Sequence, residues 1–92
     1  MTEISIRSFA KYRELFGGEV KIEVPTGGTI EDALILFAGE KTAAQTELFE
    51  NGVLKSHIVV MYNMERIDHE DIRVITLSDG DEIVLYPPVS GG

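Results

Sequence analysis

Ninety-two residues make one domain near the lower limit for independent folding, with enough chain for a core but not for a deep, walled-in substrate cavity as well. The chain has no cysteine, which excludes disulfides, thiolate metal centres and a cysteine nucleophile and leaves packing alone to hold the fold. Sixteen acidic and eight basic side chains give a net charge of −8, a surface that repels phosphate backbones and anionic lipid heads, so no nucleic acid and no membrane partner is expected; solubility and steering toward a basic protein surface are the two roles left for it.

The start, Met1-Thr2-Glu3-Ile4, lacks the basic and then apolar pattern of a signal peptide, and no apolar stretch approaches ~18 residues, so a cytoplasmic protein is expected. Glu3 to Ser8 alternates apolar and polar residues with the period of a half-buried strand. Phe9 and Ala10 lead into a short helical turn over 11–16, which Gly17-Gly18 stops. Val20, Ile22 and Val24 alternate with Glu19, Lys21 and Glu23 in a second strand that Pro25 ends, so the two strands form a loose hairpin. Thr29 stands three residues before Asp32, close to a capping box with Asp in place of Glu or Gln. Ile30, Ala33, Leu34, Phe37 and Ala38 then line one face of an amphipathic helix, with Gly39 as its stop.

Residues 42–49 are compatible with another helix carrying Leu48 and Phe49 into the core, and Asn51-Gly52 marks a turn. Ile58-Val59-Val60-Met61-Tyr62 is a continuous apolar, β-branched run of the kind found in central strands. Asn63-Met64 is a tight turn into a short strand over 65–67. Residues 68–77 are polar, with Ile72, Val74, Ile75 and Leu77 scattered through them. Asp79-Gly80-Asp81 is a turn into a last strand, Glu82 to Tyr86, which Pro87-Pro88 ends because neither proline donates to a ladder. The order is that of an α+β domain of the β-grasp type, with a mixed four- to five-stranded sheet packed on one main helix. Residues 1–86 form the domain and 87–92 a flexible tail.

Conventional sites are absent from the pattern, and no metal site or bound cofactor is expected. His57, at a strand start, reads as structural. His69 lies beside Asp68, Glu70 and Asp71, but without the ligand spacing and turn glycine of a calcium loop, and reads as part of a solvated acidic loop. Asp79-Gly80-Asp81-Glu82 reads as a hairpin turn with exposed carboxylates. Gly17-Gly18 and Gly27-Gly28 lack the lysine and the context of a phosphate loop.

The tail remains. Pro87-Pro88 favour an extended conformation, and the six residues Pro87, Pro88, Val89, Ser90, Gly91 and Gly92 reach roughly 20 Å beyond the strand. Gly91-Gly92 have no side chains, so a narrow channel admits them and brings the Gly92 carboxylate to a bound reagent. Attack of that carboxylate on the α-phosphate of ATP gives an acyl-adenylate. A sulfur donor that displaces AMP leaves a thiocarboxylate, which hands its sulfur on. The competing reading of a terminal Gly-Gly is an inert end.

Phe9-Ala10-Lys11-Tyr12-Arg13-Glu14-Leu15-Phe16-Gly17, Thr29-Ile30-Glu31-Asp32-Ala33-Leu34 and above all the stretch from Asp79-Gly80-Asp81-Glu82 to Pro87-Pro88-Val89-Ser90-Gly91-Gly92 carry a resemblance along nearly the whole chain. The chain resembles the small subunit of molybdopterin synthase (MoaD), within the wider MoaD/ThiS group of sulfur carriers and archaeal ubiquitin-like modifiers. The chain departs from many relatives at Asn63-Met64, where they carry Asn-Gly. The resemblance implies a β-grasp fold, ATP-dependent adenylation of Gly92 by an E1-like adenylyltransferase, and thiocarboxylate formation. It further implies insertion of the tail into the large subunit of molybdopterin synthase, where sulfur passes to a pterin precursor in molybdenum cofactor biosynthesis. The alternative it leaves open is a protein modifier joined through Gly92 to lysines of target proteins. In either role the chain has no catalytic power alone and is a substrate that others activate.

Overall fold

The computed structural model describes residues 1–87. Two strands, β1 (Thr2–Ser8) and β2 (Glu19–Val24), pair antiparallel from Thr2↔Val24 to Arg7↔Glu19, as the two alternating runs require. The short helix α1 (Lys11–Phe16) fills the connection between them. The chain turns into it at Phe9–Tyr12, where the Tyr12 N–H donates to the Phe9 carbonyl at 3.1 Å. Ala10 takes the turn at φ 54, ψ −134, the first central position of a type II′ turn, which glycine ordinarily fills.

The helix α2 (Ile30–Glu40) starts on the expected capping box: the Asp32 N–H donates to Thr29 Oγ1 at 3.3 Å, and the Thr29 N–H donates back to Asp32 Oδ2 at 2.9 Å. Aspartate thus performs the role of the usual glutamate. Gly39 does not stop the helix. The hydrogen-bonded run continues to Glu40, and the Lys41 N–H still donates to the Phe37 carbonyl. The break falls at Lys41, whose extended backbone ends α2 and at once starts α3 (Thr42–Leu48). The main helix is thus followed at once by the second helix that residues 42–49 allow, packed against α2 and α1. A two-residue hairpin follows, β3 (Phe49–Glu50) with β4 (Val53–Leu54), turned by Asn51-Gly52.

The remaining strands are β5 (Val59–Tyr62), β6 (Glu65–Ile67) and β7 (Glu82–Tyr86). Their order in the sheet is β2-β1-β7-β5-β6. β7, the last in sequence, is therefore the middle strand, parallel to β1 and antiparallel to β5. Asn63 and Met64 turn β5 into β6 with φ of 47 and 74, a two-residue hairpin turn of type I′. Residues 68–77 are more ordered than their polarity suggests. Asp68 and Asp71 form a second capping box, a 3₁₀ turn spans His69–Arg73, and Ile72 is buried.

One core forms between sheet and helices. Ile4 and Ile6, Ile22 and Val24, Val60, Ile83 and Leu85 meet Ile30, Ala33, Leu34 and Phe37 of α2. Tyr12 stacks on Phe16 at 5.3 Å between ring centroids, and Phe16 meets Phe37 edge-on at 5.7 Å. Each large side chain removed from water contributes about 1.5–3 kcal/mol, which is how a chain without cross-links holds together.

Candidate functional site at the root of the tail

β7 is fixed first at its beginning. The Asp79 carboxylate accepts from the Glu3 N–H at 2.8 Å, and Gly80, at φ +85, donates its N–H to the Glu3 carbonyl at 2.9 Å. The Asp81 carbonyl accepts from the Ser5 N–H at 3.0 Å. The Asp81 carboxylate accepts from the Tyr62 hydroxyl at 2.6 Å, the Ser78 N–H at 2.8 Å and the Asn63 amide at 3.0 Å. Asp79 is exposed, as expected, but the expectation of a hairpin turn with exposed carboxylates is corrected at Asp81. The turn is a crossover into the middle strand, and Asp81 is half-buried and fully engaged. Burial pushes its carboxyl up, but the hydrogen bonds from Tyr62, Ser78 and Asn63 together outweigh burial and hold it below the usual range. The same bond from Tyr62, with burial and the aspartate charge behind it, pushes the phenol up to about 12.

The far end of β7 is held by aromatic contact. Tyr86 pairs with Val59 across β5, and its ring stacks on Phe9 at 4.9 Å and 10°. The Phe9 N–H donates to the Leu85 carbonyl at 3.2 Å, and the Arg7 guanidinium lies 5.6 Å from the Phe9 ring centre. Arg7 also reaches Glu82 at 3.5 Å, an exposed pair of small energetic value. The chain thus leaves the sheet centre from a strand clamped at both ends, with Pro87 half-buried beside the clamp. Of the residues expected to act, Pro87 is described. Pro88, Val89, Ser90, Gly91 and Gly92 lie outside the described residues.

Sequence reasoning missed a surface next to this root. The core face of the sheet takes alternate residues, and the register places Arg7, Val84, Met61 and Arg66 in one row across the other face, with Tyr86 and Val59 beside it. Val84 is only 6% exposed and lies outside the core cluster, under these neighbours. An arginine flanks the apolar row at each end. The signal was present in Ile83-Val84-Leu85 and Ile58-Val59-Val60-Met61, which run apolar on both faces of their strands although only one face meets a helix.

The other candidates resolve into structure. His69 Nε2 donates to the Ile58 carbonyl, and Asp68 and Asp71 cap the 3₁₀ turn, so the acidic segment is ordered although Asp68 and Glu70 are exposed to solvent. His57 is exposed and makes no side-chain hydrogen bond among the described residues, contrary to a structural role. No group of three His, Cys, Asp or Glu side chains among the described residues is placed to hold a metal ion. No helix among them is long and apolar enough to cross a membrane.

A mixed sheet grasping a helix, with β7 at its centre between β1 and β5, defines a ubiquitin-like β-grasp domain. The crystal structure of SAMP1 from Haloferax volcanii matches with a TM-score of 0.86 and 33% identity, over 98% of this chain and 99% of that one. In sequence, small archaeal modifier protein 3 of Haloferax volcanii is 33% identical over 91 residues, 98% of this chain and 99% of that protein. The molybdopterin synthase sulfur carrier subunit of Chlamydomonas reinhardtii is 34% identical over 91 residues, with the same coverage. The ThiS family matches residues 6–92. The chain belongs to the ThiS family, among the ubiquitin-like sulfur carriers and modifiers.

Proposed function

We propose that the chain is a sulfur carrier for molybdopterin synthesis whose reacting group is the Gly92 carboxylate. The observation that carries this reading is the position of β7. A terminal strand at the sheet centre, tied down by the Asp79–Asp81 turn and the Phe9–Tyr86 stack, gives a fixed origin from which a six-residue tail reaches into another protein. The likeness to the sulfur carrier subunit of Chlamydomonas reinhardtii supports the same reading.

An E1-like adenylyltransferase binds the tail and ATP. A Gly92 carboxylate oxygen attacks the α-phosphate, pyrophosphate leaves, and the acyl-adenylate forms. A sulfur nucleophile then attacks the carbonyl carbon, and AMP leaves with the bonding pair of the C–O bond. Gly91-Gly92 let the carbonyl be approached closely, and Pro87-Pro88 shorten the list of conformers the tail must abandon on entering a channel. The large subunit of molybdopterin synthase then receives the tail. Met61, Val59 and Tyr86, half-buried over Val84, are the docking face for these partners, because apolar burial there supplies affinity that a thin tail lacks. ATP belongs to the activating enzyme, and no resident cofactor is assigned to this chain.

The likeness to small archaeal modifier protein 3 supports a second reading, in which the same adenylate is transferred to lysine amines of target proteins. Intact-mass measurement after incubation with ATP, the activating enzyme and sulfide separates the two. Exchange of one oxygen for sulfur, located at Gly92 by fragmentation, is the carrier result. Adducts to lysine with unchanged free chain are the modifier result. An unaltered chain contradicts both.

A further inference from the structure

The two arginines that end the apolar row on the sheet face are in different states. Arg7, at the β1 end, is held within the chain: its guanidinium reaches Glu82 at 3.5 Å and lies over the Phe9 ring. Arg66, at the other end, stands opposite Met61 on the edge strand β6 and is exposed. It takes part in no ion pair among the described residues, although sixteen acidic side chains are available to eight basic ones.

The neighbours of Arg66 do not supply the missing partner. Alternation along β6 puts Glu65, which pairs with Tyr62, on the other face of the sheet. Beside Arg66 lies a hollow of about 310 Å³, with Ser56, His57 and Val59 also on its wall. Asp68 is the one carboxylate lining it, and that side chain already accepts from the Asp71 N–H to cap the 3₁₀ turn. Val59 pairs with Tyr86, the last residue of β7. The hollow thus adjoins both the apolar row and the root of the tail.

A guanidinium offers its donors in a planar fork that the two oxygens of a carboxylate match, and it accepts nothing. A free fork at the rim of an apolar face therefore selects an acidic group at the rim of the surface that covers it. Nucleotide phosphate is the poorer match. The six residues after Tyr86 place the reacting carboxylate up to roughly 20 Å away, so the sheet face meets the surface of the activating protein rather than its ATP.

We propose that Arg66 selects the activating enzyme by pairing with a carboxylate that borders the apolar patch of that enzyme's docking surface. The inference rests on the docking-face reading given above and deepens it. Adenylation precedes both fates of the tail, so the activating enzyme is the partner that carrier and modifier share. Arg66 also has a bland role open to it within the chain, in which its aliphatic stem covers Met61. Arg66→Met keeps an apolar cover and removes the fork, which separates the two.

The test uses the full chain and the E1-like enzyme, with pyrophosphate exchange giving kcat and the KM values for chain and for ATP, and with melting of each variant measured alongside. Arg66→Met is expected to raise KM for the chain by about tenfold with kcat and the KM for ATP unchanged, because the contact is made equally before and during the reaction. Arg66→Lys, which keeps the charge without the fork, is expected to raise it by about threefold. Arg66→Glu is expected to raise it by at least about thirtyfold, since two carboxylates then face each other. Melting is expected to stay unchanged in all three. Met61→Lys reports on the face itself. If it lowers kcat/KM and Arg66→Met does not, the docking face stands and the proposal fails; if neither lowers it, both fail. A raised KM for ATP would assign Arg66 to the nucleotide, and equal losses for Arg66→Met and Arg66→Glu would put a neutral group opposite it; either result overturns the proposal.

Discussion

Met64 occupies a left-handed backbone conformation, φ 74, with its side chain 83% exposed. The second central position of a type I′ turn suits glycine, and a side chain there is strained without any packing in return. Met64→Gly is therefore expected to stabilise the domain by about 1 kcal/mol, raising the melting temperature by about 4–8 °C. The turn itself was legible as a two-residue link; the cost of its second residue appears only in the backbone angles. Asp81 shows the opposite relation. Its sequence context announces a turn, and nothing local announces that Tyr62, nineteen residues earlier, donates to it. Because Asp81's folded pKa lies below its unfolded one, its contribution to stability is complete above the ordinary carboxylate range and is lost as pH falls through the folded value. Tyr62's pKa is raised from 10.0 to about 12, so its contribution is complete below 10 and is lost as pH rises from there to about 12. Tyr62→Phe is expected to remove the alkaline loss, weaken the acid one and cost about 1–2 kcal/mol at neutral pH, measured by urea unfolding across pH.

At the scale of elements, alternation told the strands of the N-terminal hairpin apart from β5 and β7. β1 and β2 each show one apolar and one polar face, and both were legible. β5 and β7 run apolar on both faces, which signals cover on two sides; the helices cover one face only, and the proposed docking of a partner would cover the other. The end of α2 was less legible. A glycine is permitted within a helix's last turn as well as beyond it, so Gly39 alone does not set the boundary. The extended backbone of Lys41 sets it, because α3 must turn to bring Ala44 and Leu48 into the core. The two-sided strands yield a direct expectation. Met61 is half-buried in the bare face, so Met61→Lys is expected to leave melting nearly unchanged. It is also expected to lower kcat/KM for adenylation by the E1-like enzyme by about 30-fold, the effect of losing one central contact worth about 2 kcal/mol. A fall in melting without a fall in kcat/KM would assign Met61 to folding instead.

Across the whole molecule, the net charge of −8 conceals two different neighbourhoods. Residues 30–54 carry five carboxylates against Lys41 alone, with Glu31 and Glu47 paired to Arg73 and Lys11 from elsewhere in the chain, whereas the apolar row beside the tail root is bracketed by Arg7 and Arg66. Composition predicted one repulsive or attractive surface; only the fold separates them. The tail presents the reverse case. The reading of its chemistry rests on two glycines, two prolines and a preceding strand alone, because five of the six residues lie outside those the structure describes. What the sequence did not disclose is why the tail has a firm origin, which depends on Phe9 meeting Tyr86 from the other end of the chain.

The central claim is that the Gly92 carboxylate is the group that ATP activates. Isotope exchange between pyrophosphate and ATP, catalysed by the E1-like enzyme in the presence of this chain, tests it most directly. Exchange that requires the intact chain and disappears when Gly92 alone is removed, with melting unchanged, is the expected result; exchange that persists without Gly92 would contradict the account.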